Sequence, residues 1–210
     1  SIIPVSEHYS VDGELNISAD QHLDTTKLQL AARIDLFDYQ QNAEGNRYRG
    51  FLYAGLMIGD DGVARVIEYN CRFGDPETQP IMMRLKSDLV AHCLAALDGT
   101  LNNEVAEWDV RPSVGVVIAA GGYPATYAKG EVIHGLGDAK IDGAKIFHAG
   151  TALLNGQVVT SGGRVLCATA LGNSVAEAQQ TAYQLAKTVN FKDAYVRTDI
   201  GWRAIAREKQ

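Results

Sequence analysis

The stretch that most restricts this chain begins at Gly50. Gly50 to Ile58 is apolar and rich in strand-forming residues, Gly59-Asp60-Asp61-Gly62 is a strong turn signal, and Val63 to Tyr69 returns with alternating polarity. Two such runs around a glycine–aspartate turn fold as an antiparallel hairpin. The loop that follows, Asn70 to Gln79, is crowded with glycine and charge. A helix is predicted next, from about Pro80 to Leu97, with Met82, Leu85, Leu89, Val90, Cys93 and Leu94 on one face and Gly99 ending it.

Upstream of the hairpin, residues 1–24 read as loop with one short alternation around Leu15 and Ile17. Thr25 or Thr26 caps a predicted helix to about Asn42, on the partial period of Leu28, Ala31, Ala32, Asp35 and Leu36, with Gly45 as its left-handed end. Downstream, the texture changes near residue 110, which sets a domain boundary. Strands are predicted at Val114–Ala120, Glu131–His134, Lys145–Leu154, Gln157–Thr160 and Arg164–Leu171, separated by glycine turns. Ser174 caps a helix to about Val189, with Glu177 completing a capping box. Ala194–Thr198 reads as a closing strand and Gly201–Gln210 as a short helix. Strands feeding a helix and a last strand make an α+β unit of about 90 residues.

Composition narrows the function classes. Lys and Arg number 19 against 25 Asp and Glu, a formal charge of -6, which argues against nucleic-acid or membrane-surface partners; both want clustered excess base. The three cysteines, Cys71, Cys93 and Cys167, are widely spaced with no C-x-x-C pair, so neither a disulfide framework nor a zinc knuckle is indicated and a reducing, cytoplasmic setting is expected. No secretory signal is legible at Ser1-Ile-Ile-Pro4 and no initiator Met is present, so the chain is expected to be a processed or excised piece. The 21 glycines, a tenth of the chain, either make tight turns or let backbone approach phosphate.

Chemistry concentrates in Val66-Ile-Glu-Tyr-Asn-Cys-Arg-Phe-Gly-Asp-Pro-Glu-Thr-Gln79. Strand alternation puts Glu68 and Asn70 on one face, with Arg72 continuing it if the strand lasts that far. A carboxylate and an amide oxygen are hard ligands that suit Mg²⁺, which completes its octahedron with water and phosphate. An adjacent guanidinium holds an anion bidentately. The same residue types are commonplace on the exposed face of an edge strand, but Gly74-Asp75-Pro76-Glu77 crowds two more carboxylates against the candidates.

Several runs together resemble the phosphoribosylamine–glycine ligase (glycinamide ribonucleotide synthetase) family. They are Gly50-Phe-Leu-Tyr-Ala-Gly-Leu-Met57, Ile67 through Pro80, Gly115-Val-Val-Ile-Ala-Ala-Gly-Gly-Tyr-Pro124, Phe147-His-Ala-Gly-Thr151, Thr160-Ser-Gly-Gly-Arg-Val-Leu166 and Asp199-Ile-Gly-Trp-Arg-Ala-Ile205. The resemblance runs from about Glu44 to the C-terminus. It implies the C-terminal part of an ATP-grasp core, hairpin plus helix, over 44–110, then a small β-rich α+β C-terminal domain over 111–210. Residues 1–43 are expected to be a divergent leader with one helix. The implied reaction joins glycine to phosphoribosylamine through a glycyl phosphate, with ATP as co-substrate and Mg²⁺ or Mn²⁺ as cofactor, in purine synthesis.

Carried over by residue, the resemblance assigns Glu68 and Asn70 as metal ligands and Arg72 and Asp75 as the pair facing phosphates and substrate. Arg72, Gly74 and Arg164 are the nucleotide-binding candidates. Many ATP-grasp enzymes place another acid earlier; the matching strand here offers Gly55, Leu56 and Met57. The family is roughly twice this length, and its nucleotide-holding lysine and glycine-rich loop have no counterpart: Lys27 is the only lysine before Lys86. A second reading therefore stands beside the ligase, a non-catalytic binding or scaffold relic without the nucleotide lobe.

Other features admit plainer readings. Thr160-Ser-Gly-Gly-Arg164 is either a phosphate nest or a tight turn. Gly121-Gly122-Tyr123-Pro124 reads as a turn. His134 and His148 read as satisfied strand histidines; His8, His22 and His92 have no spacing partner. Cys71 has no triad-like companions, and Trp108 and Trp202 read as packing anchors.

Overall fold

The computed structural model describes residues 2–3, 14–17, 29–39, 48–58, 64–137 and 140–209. The chain divides into two compact units. One comprises Ser1–Ile3, Pro76–Arg84 and Val110–Gln210; the other comprises Pro4–Asp75 and Leu85–Asp109.

The second of these is built on a four-stranded antiparallel sheet in the order β2 (Glu14–Ile17), β3 (Gln29–Tyr39), β4 (Tyr48–Ile58), β5 (Ala64–Asn70). The predicted hairpin is β4–β5, paired from Ile58 opposite Ala64. Its Gly59–Gly62 turn lies outside the described residues, as does the Gly45 helix end. Within the predicted helix over 26–42, Gln29–Tyr39 is a strand instead, and the rest lies outside the described residues. β3 pairs along its whole length with β4 and, over Ile34–Phe37, with β2. Beneath the partial helical period lies a cleaner alternation, Leu30, Ala32, Ile34 and Leu36 against Gln29, Ala31, Arg33 and Asp35. Ladder bonds to both neighbours decide between the two patterns.

The long helix predicted over 80–97 is likewise two helices, α1 (Thr78–Arg84) and α2 (Leu89–Asp98). The Asp88 carboxylate accepts the Val90 N–H at 2.8 Å and caps α2. Between the helices the Lys86 N–H donates to the Glu107 carbonyl at 2.8 Å, and Leu85 bridges to Trp108. Gly99 closes α2 in the left-handed region, at φ 75°. On α2, Ala95 and Ala96 are buried with Leu101, and Phe51 of β4 packs against them.

In the other unit, a five-stranded antiparallel sheet runs β1 (Ile2–Ile3), β6 (Ser113–Ala119), β10 (Arg164–Leu171), β7 (Ala144–His148), with β11 (Tyr195–Val196) also on β6. Consecutive residues of β6 and β10 are buried, and α1 and α3 (Val175–Ala186) both pack on these two strands. The core joins Val114, Val116 and Ile118 to Val165, Leu166 and Ala168, closed by Ala178, Ala182 and Leu185 of α3. The Ser174 hydroxyl accepts the Glu177 N–H at 3.1 Å, and the Glu177 carboxylate accepts the Asn173 N–H at 2.8 Å, so the expected cap is present.

Three details differ from expectation. Residues 131–134 form isolated bridges at Val132 and His134, not a strand. Lys145–Leu154 is broken into β7 and β8 (Thr151–Leu154), the latter pairing only with β9 (Gln157–Thr160). Trp202, at the start of α4 (Trp202–Glu208), is 50% exposed beneath the Arg203 guanidinium and anchors no core.

Candidate functional site

β5 positions the candidate metal ligands. Opposite β4, Glu68 faces Gly55 while Val66 faces Leu56, so Ile67 is an inserted residue and the ladder is bulged just before Glu68. A bulge bends its strand and sharpens the local twist. Beyond it the pairing is regular, Tyr69 with Ala54 and Asn70 with Tyr53. Positions 68 and 70 therefore share one face of β5.

The strand stops at Asn70, so Arg72 does not continue that face. A bend at 71–72 turns the chain, and Arg72 folds back on its own loop. One guanidinium nitrogen donates to the Phe73 carbonyl at 2.9 Å and another reaches the Asn70 Oδ1 at 3.4 Å. Phe73 is held against Phe51 of β4, ring centroids 4.1 Å apart. The Asn70 Nδ2 is buried with no hydrogen-bond partner among the described residues. Gly74 is buried; Asp75 and Cys71 are exposed. Asn70, Arg72, Gly74 and Asp75 thus follow one another along a single turn of backbone at the end of β5.

The Asn70 amide oxygen is a hard donor of the kind magnesium takes. The bond from Arg72 to the Asn70 oxygen is long, near the limit for a hydrogen bond, and is released at small cost. The buried amide nitrogen beside it is a donor without a partner among the described residues, which calls for an acceptor such as a phosphate or water oxygen and not for the cation itself. Among the described residues, no group of three or more His, Cys, Asp and Glu could hold a metal ion. A magnesium ion here would accordingly take one or two protein oxygens and fill its octahedron from water and phosphate.

Arg164 belongs to the other unit. It is half-buried at the start of β10, with its guanidinium over the Tyr123 ring at 5.8 Å; Tyr123 in turn meets Tyr127 edge-on at 6.1 Å. The phosphate-nest reading of Thr160–Arg164 fails. The Ser161 and Gly162 N–H groups both donate to the Gly150 carbonyl, at 2.8 and 3.0 Å. Donors already used within the protein do not form an anion cradle, and the segment is a tight turn locked to the loop before β8.

The described histidines, His92, His134 and His148, are held by contacts within the protein. His148 pairs through Nδ1 with the Thr151 hydroxyl at 3.1 Å, and His134 exchanges backbone bonds with Asn190. His92, which has no partner by spacing, is buried on α2, its Nε2 2.7 Å from the Ser87 hydroxyl. That hydroxyl also accepts the Glu107 N–H at 3.1 Å. Ser87 next to the cap Asp88 was the only sequence trace of this lock.

Comparison with known proteins now bears on the whole. Residues 26–78 match the ATP-grasp (A) domain of phosphoribosylglycinamide synthetase, and residues 113–203 match its C domain. The chain belongs to the phosphoribosylglycinamide synthetase family. The ATP-grasp match begins at residue 26, so part of the leader expected to lack any family counterpart lies inside the family's own domain. It is 66% identical over 168 residues to the phosphoribosylamine–glycine ligase of Vibrio vulnificus strain CMCP6, and 62% identical over 168 residues to that of Escherichia coli K12. In both cases 80% of this chain and 39% of the relative is covered. The chain thus spans about two fifths of the length of these synthetase-family relatives.

Among solved structures, the phosphoribosylamine–glycine ligase of Thermotoga maritima superposes with a TM-score of 0.65 at 40% identity, covering 75% of this chain and 38% of that one. The biotin carboxylase domain of Hydrogenobacter thermophilus 2-oxoglutarate carboxylase gives a TM-score of 0.53 at 12% identity, covering 85% of this chain and 46% of that one. That second likeness concerns the fold alone. The architecture is therefore α+β, an ATP-grasp portion followed by the family's C domain.

Proposed function

We propose that this chain supplies the metal- and phosphate-facing end of an ATP-dependent ligase that joins glycine to 5-phosphoribosylamine in purine biosynthesis. The observation that carries the reading is the turn at the end of β5. There the amide oxygen of Asn70 and the guanidinium of Arg72 are adjacent, two residues beyond Glu68, in a chain of this family.

Glu68 and Asn70 hold the magnesium ion, which supplies charge neutralisation for the nucleotide phosphates. Arg72 exchanges its intraloop bonds for the oxygens of the transferring phosphoryl group. A cation fixed there stabilises the charge that grows as the glycine carboxylate takes the γ-phosphoryl group of ATP and ADP departs. Gly74 is taken as part of the nucleotide-facing backbone, and Asp75 orients the amine substrate. The phosphoribosylamine nitrogen then displaces phosphate from the glycyl phosphate. Little acid–base help is needed for either step.

Arg164 is retained in the proposal as a nucleotide-side cation, free of the nest. A cytoplasmic setting belongs to the same reading: Cys71, Cys93 and Cys167 are free thiols, and among the described residues no helix is long and apolar enough to cross a membrane. A division near residue 110 is proposed with it, the ATP-grasp portion reaching back to at least residue 26 where the family match begins, and the ligase C domain following over 111–210.

The test uses this chain joined to the part of the Vibrio vulnificus relative that it does not span, restoring the relatives' full length. The joined protein should release ADP from Mg·ATP only when glycine and phosphoribosylamine are both supplied. Absence of product, or equal ADP release without phosphoribosylamine, refutes the ligase reading and favours the binding relic.

A further inference from the structure

The hairpin that joins β8 to β9 turns on two residues, Asn155-Gly156, with Leu154 directly opposite Gln157. Both are in the left-handed region, Asn155 at φ 50° and Gly156 at φ 78°, the backbone that a type I′ turn requires. Asn-Gly is a pair this turn favours, and it occurs once in the chain. Both residues are exposed, and a methyl group on Gly156 would meet no other part of the protein within 4 Å.

The pair that suits the turn is also chemically labile, Asn being a thermolabile residue. The Gly156 nitrogen, on losing its proton to hydroxide, can attack the Asn155 Cγ. The new N–Cγ bond closes a succinimide ring, the bond to the side-chain nitrogen breaks, and ammonia leaves with a proton taken from water. Water then opens the ring. Cleavage at Cγ gives aspartate; cleavage at the main-chain carbonyl gives isoaspartate, whose backbone runs through Cγ and is longer by one methylene. Water is the sole co-reactant.

The fold leaves that route open. A side chain on the following residue hinders the attack, and Gly156 has none. Its N–H lies outside the ladder, whose last pair is Leu154 with Gln157. Ring closure needs the Asn155 backbone to rotate out of the turn, and β8 offers little resistance. It pairs with β9 alone, and its Ala152, Leu153 and Leu154 are exposed. An edge held by one partner strand opens at low cost. β9 is anchored on its other side as well: the Val158 carbonyl accepts the Ile133 N–H, and the Thr160 N–H donates to the Glu131 carbonyl, both at 2.9 Å. Opening therefore moves β8 and leaves β9 in place.

We propose that Asn155 is a site of spontaneous deamidation, and that its isoaspartyl product releases β8 from β9 while the β6–β10 core stays intact. The extra methylene does not fit a two-residue turn whose register is set by Leu154 and Gln157. This inference is independent of the ligase reading and of the metal and phosphate roles.

The experiment ages the 210-residue chain for days at mildly acidic and at mildly alkaline pH. Peptide mass spectrometry reads conversion of amide to acid. Methylation by a protein-isoaspartate methyltransferase with labelled S-adenosylmethionine reads isoaspartate. Asn173, exposed but followed by Ser174, is the internal comparison. The expected result is conversion at Asn155 ahead of Asn173, faster at alkaline pH, with a methyl label that is lost in Asn155→Gly, a variant that keeps the turn. Hydrogen exchange over 151–154 should quicken in the aged protein, with 113–119 and 164–171 unchanged. Asn155→Asp, which adds the charge without the methylene, should leave 151–154 protected. Conversion at Asn155 no faster than at Asn173, or a methyl label undiminished in Asn155→Gly, would overturn the site. Unchanged exchange over 151–154 in isoaspartyl protein would overturn the release of β8.

Discussion

A guanidinium nitrogen of Arg72 lies 3.4 Å from the amide oxygen of Asn70, the atom that the magnesium assignment requires. In the proposed site a magnesium ion would share this oxygen with Arg72, and Arg72 would be the group that turns to phosphate. Arg72→Ala in the joined ligase should lower kcat/KM about 10²-fold or more, the usual effect of losing one group aimed at developing charge. Mn²⁺ binding without nucleotide, followed by electron paramagnetic resonance, should be no weaker than in the parent. A parallel fall in metal affinity would show that Arg72 supports the ligand and does not compete with it.

Glu68 sits immediately after the bulge in β5, paired with Gly55. Glu68→Ala should abolish magnesium-dependent turnover of the joined ligase while its circular dichroism and melting remain those of the parent. Activity persisting at ordinary magnesium would remove Glu68 from the metal site.

The Ser87 hydroxyl joins the buried His92 ring to the Glu107 N–H and so fixes the turn between α1 and α2. Ser87→Ala strands the buried His92 nitrogen and should cost about 1–3 kcal/mol. Urea unfolding followed by Trp108 fluorescence measures it.

Gly150 touches the opposite turn through backbone alone. A methyl group there would meet the Gly162 Cα at 2.6 Å and the Arg164 carbonyl at 2.7 Å, whereas one on Gly162 would meet the Gly150 Cα at 3.0 Å. Gly150→Ala should destabilise by about 1–3 kcal/mol, the range for overpacking, and by more than Gly162→Ala. Thermal melting of the two variants side by side decides the order.

Asp199 accepts both guanidinium bonds of Arg197, at 2.9 and 2.6 Å, and this partner holds its carboxyl below the ordinary value. A depressed carboxyl favours the folded state above its unfolded pKa, and that contribution is lost as pH falls through the folded value. Both groups are exposed, so the effect on stability is small. Proton-coupled NMR should show Asp199 titrating below a reference Asp, and returning toward it in Arg197→Ala.

What the sequence revealed depended on how local the deciding interaction was. The β4–β5 hairpin and the Ser174 cap announce themselves within a few residues, and the structure contains both. β3 does not, because Leu28, Ala31, Ala32 and Leu36 mimic a helical period that only ladder bonds to β2 and β4 override. The break between α1 and α2 is decided by Glu107 and Trp108, some twenty residues away along the chain. The turn at 160–164 looks like a phosphate nest until the Gly150 carbonyl is seen to take its donors. At the candidate site, the order Glu68, Asn70, Arg72 was legible; the reversal of Arg72 onto Asn70 and Phe73 was not, since it follows from the strand ending at Asn70.

In the proposed function the end of β5 faces a metal-bound nucleotide. Isothermal titration of Mg·ATP into the joined protein, beside the same protein carrying Glu68→Gln, tests it most directly. The account predicts binding within the usual substrate range of about 1 μM to 1 mM, weakened at least about 10-fold by Glu68→Gln when magnesium is present and unchanged by it when magnesium is chelated. Equal affinities for the two proteins in magnesium would contradict it.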